Sequence, residues 1–155
     1  MTAPLAVGTQ APSFGLRDQH GADVARDAGE GRATLLVFFP FAFSGVCTKE
    51  LRGLQEVAGE LGELGVRVVG VSCDPVFALR SFADADGITF PLLSDFWPHG
   101  EVAQAYGVLD EARGCPRRSS FLLDDQGVLR WSLHHRIGDP RPVSAHLDAA
   151  RGLSG

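Results

Sequence analysis

The chain has 155 residues, 45% hydrophobic and 21% charged, a balance that suits a single globular domain spanning 1–155 with a sizeable core. Its net charge of −5 argues against nucleic acid as a partner, since phosphate binding needs a basic surface. No stretch approaches the roughly 18 apolar residues of a membrane span, and MTAPLAVGTQAPSF lacks the charged and apolar regions of a signal peptide, so a cytoplasmic location is expected.

Residues 4–12 read as an extended lead-in. Residues 13–17 and 22–25, joined by the turn at His20-Gly21, form a candidate hairpin. A polar glycine-rich loop follows over residues 27–33. Residues 34–39, TLLVFF, are a continuous apolar run rich in β-formers, the pattern of a central strand covered on both faces. The period then changes. Val46, Leu51, Leu54, Val57, Leu61 and Leu64 recur at helical spacing over 46–64, although Gly53, Gly59 and Gly62 each weaken such a helix by about 1 kcal/mol relative to alanine.

Residues 66–72, VRVVGVS, predict a second buried strand, which completes a right-handed βαβ unit. Asp74-Pro75 opens another helix, with Phe77, Leu79, Phe82 and Ala83 as its expected apolar side. A short strand at 90–94, an aromatic loop at 95–100 and a short helix at 101–106 come next. Residues 119–124 and 128–134 flank Asp125-Gln126-Gly127 as a hairpin, and 142–151 reads as a final helix. A parallel βαβ core followed by an antiparallel hairpin and a helix outlines an α/β, thioredoxin-like fold. That fold is a central mixed β-sheet flanked by helices, here with an N-terminal hairpin.

Cys47 lies in the first turn of the helix that follows the apolar strand. Free N–H groups there carry roughly half a positive charge, a field that favours a thiolate. Pro40 ends the strand and has no N–H to donate, so the loop can bend back and aim its amides at the cysteine. Ser44 offers a hydroxyl three residues before Cys47. The alternative is a small buried hydrophobe, the usual fate of a free cysteine.

The spacing Pro40-x-x-x-Ser44-x-x-Cys47 resembles the P-x-x-x-(T/S)-x-x-C motif of the peroxiredoxins, cysteine-dependent peroxidases on a thioredoxin-like fold. The segments VGTQAPSFGLRDQHG, FFPFAFSGVCTKEL, FPLLSDFWPHGEVAQAYGV and RRSSFLLDDQGVLR are similar to that family along almost the whole chain. Together they look most like its one-cysteine members of the alkyl hydroperoxide reductase E type, found in actinobacteria. Ser44 stands where threonine is commoner, with the hydroxyl retained.

The resemblance implies roles. Cys47 is the expected peroxidatic nucleophile, which becomes a sulfenic acid. Ser44 hydrogen-bonds the peroxide and Pro40 shields the thiolate from water. Amides near Val46 and Cys47 stabilise charge on the departing oxygen. Arg118 is the expected active-site arginine, with Arg117 the competing choice, and its fork holds thiolate and peroxide together. Glu50, one turn beyond Cys47, is either a first-turn carboxylate facing the helix dipole or the group that orients that arginine.

The sulfenic acid needs a second thiol. Arg52 occupies the five-residue offset from Cys47 where some peroxiredoxins carry one. Cys73 reads as a structural strand-end residue, and Cys115, in the expected loop ARGCPRR, is either an exposed incidental thiol or a resolving residue. The favoured reductant is external: a low-molecular-weight thiol, or a glutaredoxin- or thioredoxin-like protein. Phe96, Trp97 and Pro98 form a local apolar patch, either core or interface, and the resemblance implies a homodimer that uses loops around the active site.

No cofactor is expected. Nor is a metal, since the chain has no CxxC or paired Cys/His spacing and the adjacent His134 and His135 would point to opposite faces of a strand. His99 reads as a surface residue. The rival functions are a peroxide-sensing switch that reacts once and stalls, and a thiol–disulfide oxidoreductase, against which the missing CxxC argues. Phe39, Phe41 and Phe43 suggest an apolar entrance favouring fatty-acid hydroperoxides or peroxynitrite over hydrogen peroxide.

Overall fold

The computed structural model describes residues 3–26 and 32–154, so most of the expected glycine-rich loop, residues 27–31, lies outside the described residues. Strands β1 (Phe14–Arg17) and β2 (Asp23–Arg26) form the N-terminal hairpin. Then follow β3 (Ala33–Phe38), α1 (Gly45–Glu63), β4 (Val66–Ser72), α2 (Val76–Asp86) and β5 (Leu92–Ser94). The second half holds α3 (Glu101–Ala105), β6 (Leu109–Asp110), β7 (Cys115–Pro116), β8 (Arg118–Leu123), β9 (Leu129–His135) and α4 (Val143–Ser154).

Seven of these strands form one mixed sheet in the order β2-β1-β5-β4-β3-β8-β9. The centre, β5-β4-β3, is parallel, and β8 joins β3 antiparallel with Phe38 opposite Ser119. Both faces are covered, which is why β3 and β4 read as unbroken apolar runs. Leu35, Val37 and Phe39 point to a core shared with residues of α1, α2 and α4, while Leu36 and Phe38 point to a second core with Val102 and Ala103 of α3. This period-two split is the ordinary pleat of a strand.

Three expectations need correction. Phe77 is not on the buried side of α2, being 85% exposed, whereas Leu79, Phe82 and Ala83 are buried. At 100° per residue, position 77 lies nearly opposite position 79 on the helix. Phe39 lies in the core and is no part of an entrance; Phe41 and Phe43 are exposed. Cys115 is neither in a loop nor exposed: it sits in β7, paired with β6, and is fully buried.

Gly53 has a packing reason. A Cβ there would lie 2.7 Å from Val143 Cγ2, so the glycine lets the start of α4 seat against the middle of α1. That contact brings the segment before α4 up to the first turns of α1, where Cys47 and Glu50 lie.

Candidate active site

β3 runs out at Phe38, and Phe39 and Pro40 are still buried before the chain turns toward α1. Phe43 adopts φ +69°, an uncommon conformation for a bulky residue, and its ring packs edge-on against Phe82 at 5.4 Å. The loop is also tied from outside, because the Ala42 amide donates to Asp74 Oδ2 at 2.9 Å and Ser72 Oγ donates to the same oxygen at 2.6 Å. A strained turn pinned by an acid from the neighbouring strand end fixes where α1 begins.

Ser44 is the N-cap residue of α1, yet its side chain does not cap the helix. Its hydroxyl donates back to Phe41 O at 3.0 Å. The amides of Gly45, Val46 and Cys47 precede the first intrahelical donor, Thr48, whose N–H reaches Ser44 O at 2.9 Å. Cys47 is thus the third residue of the helix, fully buried at its positive end.

Arg118, the first residue of β8, reaches this point from the neighbouring strand. Its Nη1 lies 3.1 Å from Cys47 Sγ and donates to Glu50 Oε1 at 2.6 Å. Its Nε donates to Ile137 O. Arg117 points elsewhere, its Nη2 donating to Gly107 O at 2.8 Å. Cys47, Glu50 and Arg118 therefore meet in one buried cluster, with Ser44, Val46 and Pro40 in the loop and helix turn that lead to it.

Sequence reasoning missed three members of the same network. Arg141 clasps Glu50 three times: its backbone N–H donates to Oε2 at 2.6 Å, its Nε to Oε2 at 3.0 Å and its Nη2 to Oε1 at 3.0 Å. Its Nη1 donates to Ser120 Oγ at 3.0 Å, and Ser120 Oγ lies 2.8 Å from His146 Nε2. Burial pushes the Glu50 carboxyl up, but hydrogen bonds and charge from Arg141, with the charge of Arg118, outweigh it and hold the group below the usual carboxylate range. The available signal was the setting of Arg141 between Pro140 and Pro142, which restrains the backbone on both sides. Lys49 is the sole lysine among 14 basic residues, and in so arginine-rich a chain one more arginine carries no signal of its own.

The other two cysteines, Cys73 and Cys115, are also free and buried. Burial, then the charges of Asp95 and Cys115, push Cys73 up to about 12. Burial, then Asp110, push Cys115 up to about 11. His99 is exposed, its Nε2 lying 2.6 Å from Gly114 O. Among the described residues no group of three or more His, Cys, Asp or Glu is arranged to hold a metal ion, and no helix is long and apolar enough to cross a membrane. Phe77, Phe96 and Trp97 are exposed, and Phe77 and Phe96 line one groove of about 400 Å³ beside Arg17 and Arg80.

The profile of the AhpC/TSA family matches residues 7–132. The chain is 40% identical over 151 residues to alkyl hydroperoxide reductase E of Mycobacterium tuberculosis, covering 97% of this chain and 99% of that one. Among solved structures, AhpC of Enterococcus faecalis superposes with a TM-score of 0.87 at 29% identity, covering 95% of this chain and 91% of that one. Peroxidoxin BcpB of Mycobacterium tuberculosis superposes with a TM-score of 0.80 at 28% identity, covering 96% and 95%.

Proposed function

Since the chain belongs to the AhpC/TSA family and is a peroxiredoxin, a thiol-dependent peroxidase, we propose that Cys47 is its peroxidatic nucleophile, working with Arg118, Ser44 and Pro40. The observation that carries this reading is the 3.1 Å contact between Arg118 Nη1 and Cys47 Sγ in a buried cluster. Two buried guanidinium groups, Arg118 and Arg141, face one carboxylate, Glu50. One positive charge is left over, and a thiolate at Cys47 balances it. The helix end adds to the same field.

The thiolate attacks one peroxide oxygen. An S–O bond forms as the O–O bond breaks, sulfur loses two electrons, and the second oxygen leaves as water or an alcohol after taking up a proton, or as nitrite from peroxynitrite. The Arg118 fork holds the peroxide beside the sulfur. The uncapped amides at Val46 and Cys47 meet the charge on the departing oxygen. Ser44 already gives its one proton to Phe41 O, so its oxygen serves the peroxide as an acceptor. Pro40 closes one side of the site to water. The substrates are hydrogen peroxide, organic hydroperoxides and peroxynitrite, and the exposed Phe41 and Phe43 support entry of an apolar peroxide tail.

Regeneration uses external thiols. One displaces the sulfenic oxygen as water and forms a mixed disulfide, and a second releases Cys47. The burial of Cys115 and its raised thiol support this over internal resolution, because a protonated buried thiol attacks slowly. The reductant is a low-molecular-weight thiol or a glutaredoxin- or thioredoxin-like protein. The exposed Phe77, Phe96 and Trp97 support a homodimer through this side of the molecule.

The test is to mix reduced protein with one equivalent of peroxide, trap sulfenic acid and map it by mass spectrometry. The expected product is an adduct at Cys47 alone. A Cys47 that remains a free thiol would overturn the reading, and a Cys47–Cys115 disulfide would replace the external reductant with an internal one.

A further inference from the structure

The hydrogen-bond chain from Cys47 does not end at Glu50 and Arg141. Arg141 Nη1 donates to Ser120 Oγ, Ser120 Oγ lies 2.8 Å from His146 Nε2, and His146 Nδ1 lies 3.0 Å from Pro142 O. Ser120, Arg141 and His146 are all buried. One proton arrangement satisfies every group. The Pro142 carbonyl can only accept, so Nδ1 carries the imidazole proton. Ser120 Oγ accepts from Arg141 and donates its single proton to the lone pair at Nε2. A doubly protonated ring would turn Nε2 into a donor, strand the Ser120 proton and add positive charge beside Arg141.

The placement is costly for mere packing. All six residues of β8 are buried, and Ser120 pairs with Val37 of β3 in the middle of the sheet. A hydroxyl and an imidazole there cost free energy unless each is hydrogen-bonded, and an apolar pair would fill the same space without that demand. Glu50 alone satisfies Nε and Nη2 of Arg141. The serine and histidine add a third anchor, at Nη1, and a guanidinium held at all three nitrogens cannot swing within its plane.

We propose that Ser120 and His146 are positioning residues for peroxide reduction: they lock the Arg141 guanidinium, which holds the Glu50 carboxylate that in turn holds Arg118 against Cys47. This rests on the peroxidase reading above. The remaining groups facing His146 are the Trp131 ring, 5.6 Å away at 72°, and the charges of Arg141, Glu50 and His135.

The test uses the full chain and four variants, Ser120→Ala, Ser120→Thr, His146→Phe and His146→Gln, with the rate of Cys47 oxidation by hydrogen peroxide followed in stopped flow. Loss of an anchor lets the reacting groups drift, and about a tenfold fall in rate is expected for Ser120→Ala and His146→Phe. Ser120→Thr and His146→Gln, which keep the hydroxyl and the acceptor, should stay within about threefold of wild type. Equal rates in all four, or an equal loss in conservative and disruptive variants alike, would overturn the proposal. Failure of wild type itself to react would overturn the peroxidase reading instead. Nitrogen-15 NMR of the His146 ring in the wild-type protein gives a check that needs no variant to fold: a neutral ring protonated at Nδ1 is expected at pH 7, and a proton on Nε2 would overturn the proposal.

Discussion

Glu50→Gln probes the centre of the network with the smallest change of shape. Each Glu50 oxygen accepts two donors: Oε1 takes Arg118 Nη1 and Arg141 Nη2, and Oε2 takes the backbone N–H and Nε of Arg141. An amide can present oxygen at only one of these positions. Whichever way it flips, two hydrogen bonds are lost and an NH2 group faces two N–H donors. Hydrogen bonds to charged groups contribute about 1.5–3 kcal/mol each, and breaking one side of a buried ion pair costs about 3–5 kcal/mol. Both routes give about 4 kcal/mol, and for a chain of this size that corresponds to a fall of about 8–16 °C in melting temperature. Thermal unfolding followed by circular dichroism measures it. A fall of less than about 3 °C would refute the claim that the carboxylate is the energetic hub of the two arginines.

Burial, then the Arg141 charge, push the His146 imidazole down from 6.5 to about 4. The folded protein therefore binds fewer protons than the unfolded chain in that window, and its contribution to stability, present above pH 6.5, is lost as pH falls toward 4. The loss is about 3 kcal/mol; His146→Gln should flatten the slope of urea-unfolding free energy between pH 4 and 7, and an unchanged slope would contradict the assignment. Cys115→Ala should leave turnover with dithiothreitol within about twofold of wild type, because the thiol lies outside the proposed chemistry; loss of turnover with Cys47 still oxidised would make Cys115 the resolving residue. Gly107→Ala should destabilise by about 2–4 kcal/mol, since Gly107 has φ +73° and a Cβ would lie 2.1 Å from Ala3 O. Urea titration reads this directly, and a change under about 0.5 kcal/mol would show that the N-terminal segment moves aside freely.

What was legible in the chain depended on how far each feature repeats. Residues 66–72 were bounded to the residue, because a β-branched run sits between Gly65, at φ +79°, and Asp74-Pro75. The helix over 46–64 was displaced by one position, since Ser44 is the cap and Gly45 the first helical residue. Strands β6 and β7 went unread. Two residues each carry no periodicity, and their pairing depends on the turn through Gly114, at φ +67°. Cys47 and Glu50 were legible through motif and helix spacing, and Arg118 only through the resemblance to the peroxiredoxins. Arg141, Ser120 and His146 were not, because tertiary contacts that leave no short-range pattern join them to the site: β8 pairing with β3 places Ser120, and α4 seating on α1 at Gly53 and Val143 brings up Arg141 and His146.

The site is also spread in time. Arg118 follows Cys47 by 71 residues and Arg141 follows Glu50 by 91. At a synthesis rate of about 5–20 residues per second, a growing chain carries Cys47 for about 4–14 s before Arg118 has been made. Even then the two meet only once β8 has paired with β3, a contact between distant parts of the chain. Through that interval the thiol lacks the Arg118 guanidinium and Glu50 lacks both of its arginines, although α1 and the strands β3 and β4 have already been made. The contact to the sulfur is thereby withheld from the nascent protein: Arg118 reaches Cys47 only when the C-terminal part of the polypeptide closes beside it.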